Sequence, residues 1–333
     1  MWQRFGNKLV LFFIFLAFAV GMITYGLARP VSSANAPVLI TVEPGMTTND
    51  IGMLLKQRGL ILNELLFRVL AKIEGLDGSL QAGEYQITPS MTVRQIIDML
   101  ARGETAYRQF TIPEGFTVDQ VAALLEQHKI SDASQFKSLA RAYVPYDYMT
   151  AGEGTLYTVE GFLFPDTYRV ASGATAEDIL KMLTKQFDRQ FTPAMRARAA
   201  ELNLSIREVI ILASLVEKEA QLERERPIIA SVFFNRLKQG MPLQSCATIQ
   251  YILGYPKPEL TVQDTQIVSP YNTYQHSGLP PGPIANPGLA SIQAVLYPAE
   301  TDYLYFVADK SGAHRFSRTY DEHLAAIEQV GKN

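Results

Sequence analysis

Two carboxylates end a long apolar run in the segment ASLVEKEAQ, residues 213–221. Residues 209–216 are apolar apart from Ser214, and Glu217 and Glu219 follow within one helical turn. Because an α-helix turns by about 100° per residue, side chains two positions apart face nearly opposite directions. One helix therefore cannot present both glutamates to the same pocket.

Glu219 continues the apolar stripe of this helix. Leu212, Leu215 and Val216 precede it by seven, four and three positions, which are the spacings of one helix face. Burial among apolar side chains penalises the ionised form of a carboxyl group and raises its pKa. A glutamate tuned in this way can protonate a leaving oxygen near neutral pH, so Glu219 is a candidate general acid.

Glu217, by the same spacing, is expected towards the face that carries Arg207 and Lys218. An alternative for Glu219 is a partly exposed position at the helix end, or an ion pair with one of the two arginines in the segment QLERERP that follows. Periodicity alone leaves both interpretations open.

The sequence contains no motif of the other common kinds of active site. The chain has no Walker loop, no dinucleotide fingerprint and no GxSxG elbow. Its four histidines are too far apart in sequence for a metal motif: His128, His276, His314 and His323. The single cysteine, Cys246, excludes an internal disulfide and is interpreted as a packing or loop residue. We therefore expect neither a metal nor a cofactor.

The composition is that of a folded protein of two or three domains. The chain has 333 residues, of which 47% are apolar and 19% charged, enough for a sizeable core. The net charge is −3 and the basic residues are scattered, which argues against nucleic acid as a partner.

Aromatic and amide groups in the loop segments YNTYQH and GLPPGPIANPG suit a sugar, although rigid turns explain them equally well.

An uncharged stretch of 20 residues, 9–28, is long enough to cross a membrane. Arg4 and Lys8 precede it, which favours a cytoplasmic N-terminus of eight residues and an extracytoplasmic location for the rest of the chain. The alternative is a cleaved signal peptide, because residues 34–36 have a small-x-small pattern, although Pro37 follows directly. We interpret the stretch as a retained transmembrane helix.

After a linker at 29–37, short β-type runs alternate with helix starts. The strand candidates are 38–42, 83–87 and 107–112, and a helix is expected at 64–73. Thr47, Thr92 and Thr117 each stand three residues before an Asp or a Gln, the spacing of a capping box. Residues 38–88 thus indicate the order strand, helix, helix, strand.

The second half of the sequence predicts mainly helices. Ser205 and Glu208 form a full capping box that opens the helix carrying Glu219. Further helices are expected to begin at Thr175 and Thr192, to cover 227–239 and to follow 319, with a strand at 303–308.

Several segments together resemble the YceG-like family of endolytic murein transglycosylases. They occur in order between residues 38 and 325: AGEYQITPSMTVRQIIDML, EGFLFPDTY, ASLVEKEA, SVFFNRLKQGMPLQS, YNTYQHSGLPPGPIANPG, YLYFVA and HRFSRTYDEH. The uncharged N-terminal stretch fits the same family as its membrane anchor.

The resemblance implies an α+β protein with a LysM-like module at 38–108, a connecting segment at 109–158 and a catalytic domain at 159–330. It implies that Glu219 is the catalytic residue. We expect four residues to bind substrate: Gln244, Tyr271, Asn272 and Tyr274. The implied partners are peptidoglycan glycan strands and the cytoplasmic membrane, together with peptidoglycan synthases and division proteins.

The implied reaction cuts the β-1,4 bond between N-acetylmuramic acid and N-acetylglucosamine and leaves a 1,6-anhydro end, with Glu219 as acid and then base. Two alternatives stay open. One is a hydrolytic muramidase with Glu160 or Asp166 as a second acid, and the other is a non-catalytic glycan-binding division scaffold.

The sequence departs from the family where many members carry Asp-Pro after LQ[ST]. Cys246 and Ala247 stand there, so we assign no catalytic role to Cys246.

Overall fold

The computed structural model describes Gly21 and residues 29–171, 173–257 and 259–332. The predicted cytoplasmic N-terminus and, apart from Gly21, the predicted transmembrane stretch lie outside these residues. No helix within the described part of the chain is long and apolar enough to cross a membrane.

The described residues form twelve α-helices and six short strands, which confirms the mixed α+β prediction. The helices are α1 Thr48–Gln57, α2 Glu64–Ile73, α3 Val93–Arg102, α4 Val118–Gln127, α5 Ala133–Ala140, α6 Ala176–Gln190, α7 Pro193–Glu201, α8 Ile206–Glu219, α9 Arg226–Lys238, α10 Cys246–Leu253, α11 Leu289–Leu296 and α12 Tyr320–Lys332. The strands are β1 Val38–Val42, β2 Gly83–Ile87, β3 Tyr107–Thr111, β4 Thr167–Ala171, β5 Tyr305–Ala308 and β6 His314–Ser317. They form three two-stranded sheets, pairing β1 with β2, β3 with β4 and β5 with β6.

Local side-chain chemistry starts the helices where the sequence predicts. Thr47, Thr92 and Thr117 each accept a hydrogen bond from the amide three residues later, and the side chain at that position accepts one from the threonine amide. Ser205 and Glu208 make the same reciprocal pair at the start of α8. Such a cap stabilises a helix by about 1 kcal/mol, so these starts depend on few distant contacts.

The described chain divides into two compact units. The first consists of the described part of residues 1–108 together with 169–172. In it β1 and β2 pair antiparallel with Val38 opposite Ile87, and α1 and α2 lie between them in the chain. The predicted order of strand, helix, helix and strand is confirmed.

The core of the first unit lies between one face of the β1–β2 sheet and helices α1 to α3. Phe67 of α2 and Tyr85 of β2 are among its largest buried side chains. A Cβ added to Gly52 would lie 3.3 Å from the Phe67 ring, so α1 and α2 approach closely at that glycine. The opposite sheet face, which carries Thr41 and Gln86, is exposed.

The second unit consists of the described residues of 109–168 and 173–333, so the boundary between the units runs through β3 and β4. It contains the predicted connecting segment at 109–158, of which residues 130–158 show no clear periodicity in the sequence. Helix α5 lies in that segment. Its eight residues bury only Phe136 and Ala140, which is too short a pattern to indicate a helix.

Helix α8 is the central helix of the second unit. It contacts α7, α9, α10 and α11, and residues 209–216 are all buried. Ser214, the one polar residue of this run, donates to the Ile211 carbonyl and accepts from the Ile284 amide, so its burial leaves no hydroxyl unpaired. Neighbours on every side explain why the run has no polar face.

Candidate active site

Glu219 ends α8 beside the start of α10. Its Oε1 accepts a hydrogen bond from the Ser245 hydroxyl at 2.5 Å, and its carboxylate also accepts one from the Ala247 backbone amide. Ser245 is the N-cap residue of α10, and Ala247 lies in the first turn. The partly buried carboxylate is therefore at a helix N-terminus, where unpaired amides favour negative charge.

Burial has the largest effect on the acidity of Glu219. It raises the pKa of this carboxyl group above its ordinary value. The hydrogen bonds from Ser245 and Ala247 and the positive charge of protonated His314 act in the opposite direction. The net direction agrees with the expectation from the apolar stripe, and it extends the protonated form towards neutral pH, as a general acid requires.

His314 forms a buried pair with Glu225 close enough for its charge to act on Glu219. His314 Nδ1 lies 2.8 Å from Glu225 Oε2, and the two side chains are 3% and 8% exposed. Glu225 also accepts from the His314 amide, and the imidazole packs edge-on against Phe306. From the sequence, the histidines are assessed only as metal ligands. The contact between His314 and Glu225 is not predicted, because these two residues are 89 positions apart.

Glu217 points away from Glu219, as the two-residue spacing predicts, and contacts the start of α11. Its carboxylate accepts hydrogen bonds from Arg226 at 3.2 Å, from the Gly288 amide at 3.0 Å and from the Ser291 hydroxyl at 2.8 Å. The side chain is 8% exposed. Glu217 is thus a fully engaged structural residue.

Lys218 lies beside Glu217, as the spacing predicts. A Cβ added to Gly115 would meet both side chains, at 3.6 Å from Glu217 and 3.8 Å from Lys218, and the Lys218 ammonium donates to the Gly115 carbonyl. Arg207 is buried near the start of α8. Arg226 pairs with Glu217, so the alternative of an ion pair between Arg226 and Glu219 is wrong.

Gln244 and Tyr274, two of the four predicted substrate residues, lie near Glu219. Gln244 is exposed, directly precedes Ser245 and has a left-handed φ of 50°. Tyr274 is partly exposed and its hydroxyl lies 3.0 Å from Cys246 Sγ. Burial raises the pKa of the Tyr274 hydroxyl, and the nearby Glu219 carboxylate acts in the same direction, so the hydroxyl stays protonated. The side-chain oxygen of Gln244 accepts a hydrogen bond from Arg236. Contact of Gln244 and Tyr274 with substrate stays a prediction.

Tyr271 and Asn272, the other two, are buried. The Tyr271 hydroxyl accepts from the Leu156 amide, and the Asn272 amide group donates to two loop carbonyls. Asn272 Oδ1 accepts from the Tyr274 amide. These contacts fix the loop that carries Tyr274, and a direct contact of Tyr271 or Asn272 with substrate stays a prediction.

The pair Cys246 and Ala247 has a physical consequence at this position. Burial raises the pKa of the Cys246 thiol, which keeps it protonated and makes it a poor nucleophile. Ala247 carries an N–H that a proline would lack, and Glu219 accepts a hydrogen bond from it. The departure from Asp-Pro thus changes how the candidate acid is held.

A cavity of about 330 Å³ lies along α10. Ala247, Gln250 and Tyr251 of α10 line it, together with Asp119 and Lys218. Its volume is in the range of ligand sites, and its amide, charged and aromatic lining suits a hydroxyl-rich ligand. Ala247 therefore both lines this cavity and donates its backbone N–H to Glu219, so the cavity lies next to the candidate acid.

Glu160 and Asp166 were the candidates for a second acid. Glu160 is fully buried, accepts from the Val118 amide and the Tyr251 hydroxyl, and burial raises its pKa to about 8. It has no solvent contact from which to activate a water molecule. Asp166 is exposed and accepts from the Gln186 side chain at 2.6 Å.

In the described part of the chain, no group of three or more His, Cys, Asp or Glu residues could hold a metal ion.

A mixed α+β unit with one partly buried glutamate of raised pKa beside a polar and aromatic cavity has the features of an acid–base enzyme. The chain belongs to the YceG-like family, whose family model matches residues 40–329.

Relatives agree with this assignment. The chain is similar to the endolytic murein transglycosylase of Bacillus subtilis, with 35% identity over 327 residues that cover 93% of this chain and 90% of the relative. It is also similar to the endolytic murein transglycosylase of Streptococcus pneumoniae serotype 2, with 33% identity over 322 residues, 87% of this chain and 58% of that longer protein. Among solved structures, a YceG-like protein from Listeria monocytogenes, determined at 2.6 Å, matches with a TM-score of 0.63 and 32% identity over 88% of this chain and 99% of that one.

Proposed function

We propose that this protein is an endolytic murein transglycosylase that cuts the N-acetylmuramic acid to N-acetylglucosamine bond within glycan strands. The observation that carries the proposal is the position of Glu219, partly buried at the end of α8 with a raised pKa and held by the first turn of α10. The names of the relatives supply the substrate class.

In the first step Glu219 gives its proton to the glycosidic oxygen, the bond from that oxygen to C1 of the muramic acid breaks, and the N-acetylglucosamine leaves with a free hydroxyl. In the second step the Glu219 carboxylate takes the proton of the C6 hydroxyl of the same muramic acid, and O6 bonds to C1. The ring closes as a 1,6-anhydro sugar, Glu219 recovers its proton, and no water is consumed.

An internal nucleophile explains how one carboxyl group suffices. A hydroxyl of the same sugar has a high effective concentration at C1. Ordinary glycosidases need a second carboxylate to activate water or to attack the sugar. Glu160 is fully buried and Glu217 is paired with Arg226. Neither carboxylate is therefore available to activate water or to attack the sugar.

Mass spectrometry of digested peptidoglycan tests the proposal. Purified sacculi are incubated with the full chain or with its Glu219→Gln variant, and the new glycan ends are identified. Anhydro ends produced by the wild type and not by the variant are expected. Reducing ends would indicate a hydrolytic muramidase, and absence of cleavage would favour a non-catalytic glycan-binding scaffold.

We further propose that residues 9–28 anchor the chain in the cytoplasmic membrane with its C-terminus outside the cytoplasm. The proposal rests on the uncharged stretch and on Arg4 and Lys8 before it. A reporter fused after Asn333 should then behave as extracytoplasmic, whereas a soluble mature protein that starts near Pro37 would contradict the anchor. Glycan binding by the LysM-like module at 38–108, and peptidoglycan synthases and division proteins as partners, are part of the same proposal.

A further inference from the structure

Helix α2 in the first unit is apolar on two opposite sides. Phe67 and Ala71 face the core and are fully buried. Leu65, Val69 and Ile73 follow one another at intervals of four residues, on the side of the helix directly away from that core. They are 55%, 44% and 75% exposed.

Leu62, in the turn before α2, extends this outward stripe and is 66% exposed. A surface helix normally places polar residues opposite its core-facing stripe. Four large aliphatic side chains in that position form a contiguous apolar patch of the kind that marks an interaction surface. We call Leu62, Leu65, Val69 and Ile73 the outer stripe of α2.

The residues that directly follow the proposed anchor lie beside this helix. Arg29 and Val31 line a small cavity together with Leu62 and Leu66, and the Ser32 amide donates to the Pro89 carbonyl at 3.1 Å. Three residues of extended chain span about 10 Å. If residue 28 ends the apolar stretch at the membrane surface, the cavity at Val31 can be no more than about that distance from the lipid.

Basic side chains flank the outer stripe on one side. Arg68 and Lys72 are exposed and lie one turn apart between the outer stripe and the core side of α2. Arg68 also donates to the uncharged side chain of Asn49 at 3.1 Å. An apolar face bordered by Arg and Lys is the pattern of a helix that lies in the interface of an anionic bilayer.

We propose that the outer stripe of α2 lies on the anionic lipid surface next to the anchor, so that the first unit is attached to the membrane at two points. The proposal rests on the anchor at 9–28 and goes beyond glycan cleavage. A second attachment fixes the orientation of the first unit on the bilayer, which a single attachment point cannot do.

Quenching of tryptophan fluorescence by lipids brominated on their acyl chains tests the contact. The only tryptophan of the chain is Trp2, so the full chain with Trp2→Phe gives a dark background. Val69→Trp then reports on the outer stripe, and Gln86→Trp, on the exposed opposite face of the sheet, is the matched control. Both positions are exposed, so neither substitution disturbs the core.

The variants are reconstituted in vesicles of phosphatidylcholine and phosphatidylglycerol, with and without bromine. Val69→Trp should be quenched about twofold or more, because an interfacial helix buries its apolar face about 5–10 Å into the lipid. Gln86→Trp should not be quenched. Adding Arg68→Gln and Lys72→Gln to Val69→Trp should reduce the quenching in anionic vesicles and leave it unchanged in pure phosphatidylcholine.

Three results would overturn the inference, and they differ in what else they refute. Equal quenching of the two tryptophans in protein that floats with vesicles would refute the second attachment alone. Blue-shifted emission of Val69→Trp without quenching would show that protein covers the stripe, and would also refute it. Failure of the chain to float would refute the anchor and the inference together, while glycan cleavage, measured separately, would still stand.

Discussion

Glu219 is held by contacts that favour its charged form, inside surroundings that favour its neutral form. Replacing it with Gln keeps the volume, the helix propensity and an acceptor for Ser245, and removes the transferable proton. We expect the fold to survive and glycan cleavage to fall by at least about 10²–10⁴-fold, the usual contribution of general acid–base catalysis. Cleavage rates on uncrosslinked glycan strands and thermal melts measure both effects. Near-normal turnover would refute the assignment.

Glu217→Gln is the matched control at the same helix end. It weakens the hydrogen bonds from Arg226, Gly288 and Ser291 and leaves the Arg226 charge without its counter-ion. We expect a loss of about 1–3 kcal/mol of unfolding free energy, with cleavage by the folded fraction largely retained. A stable but inactive Glu217→Gln protein would mean that the two glutamates have exchanged roles.

The amide of Ala247 offers a way to change the acidity of Glu219 without touching its side chain. Its hydrogen bond lowers the pKa of Glu219, so Ala247→Pro, which removes the N–H, should raise that pKa. The acid must start protonated, and activity is lost as pH rises through its pKa. The alkaline limb of the kcat/KM profile should therefore move to higher pH. Ala247→Gly keeps the N–H and should leave the limb in place, and equal profiles for both variants would contradict the argument.

At the scale of elements, the buried carboxyl group of Glu160 joins the start of α4, through the Val118 amide, to Tyr251 of α10. Burial raises its pKa to about 8 in the folded protein, above the value of an unfolded chain. The stabilising contribution of its neutral form is complete below about pH 4 and is lost as pH rises towards 8. Denaturant melts of the wild type should lose stability across this window, and Glu160→Gln should flatten the loss. Parallel curves for the two proteins would exclude Glu160 as the cause.

The sequence predicts those elements whose causes are local. Capping pairs three residues apart place the starts of α1, α3, α4 and α8, and the spacing of apolar residues singles out Glu219. The partners of the candidate site come from elsewhere in the chain. Ser245 is 26 residues from Glu219, and Ser291 is 74 residues from Glu217. Periodicity records which side of a helix is apolar and carries no information about which distant segment covers it, so these contacts, like the His314 and Glu225 pair, could not be predicted.

At the scale of the whole molecule, Glu219 and all its described hydrogen-bond partners belong to the second unit. Deleting residues 38–108 should therefore weaken binding to glycan or change where strands are cut, and leave chemistry by Glu219 detectable. Sacculus pull-down and the size distribution of the released glycans measure the two effects. Loss of all cleavage in a deletion protein that still melts cooperatively would show that the first unit contributes to catalysis.

The last turn of α8 supplies caps to two other helices. Neither α10 nor α11 has a hydrogen bond from its own N-cap side chain, whereas Glu219 accepts from Ala247 and Glu217 from Gly288. An ionised carboxylate is a stronger acceptor than a neutral one, so the first turn of α10 should fray more when Glu219 carries its proton. Hydrogen–deuterium exchange at the Ala247 amide, corrected for intrinsic rates, should then slow as Glu219 ionises. Proton transfer during each turnover would in this way loosen and tighten the helix that lines the cavity.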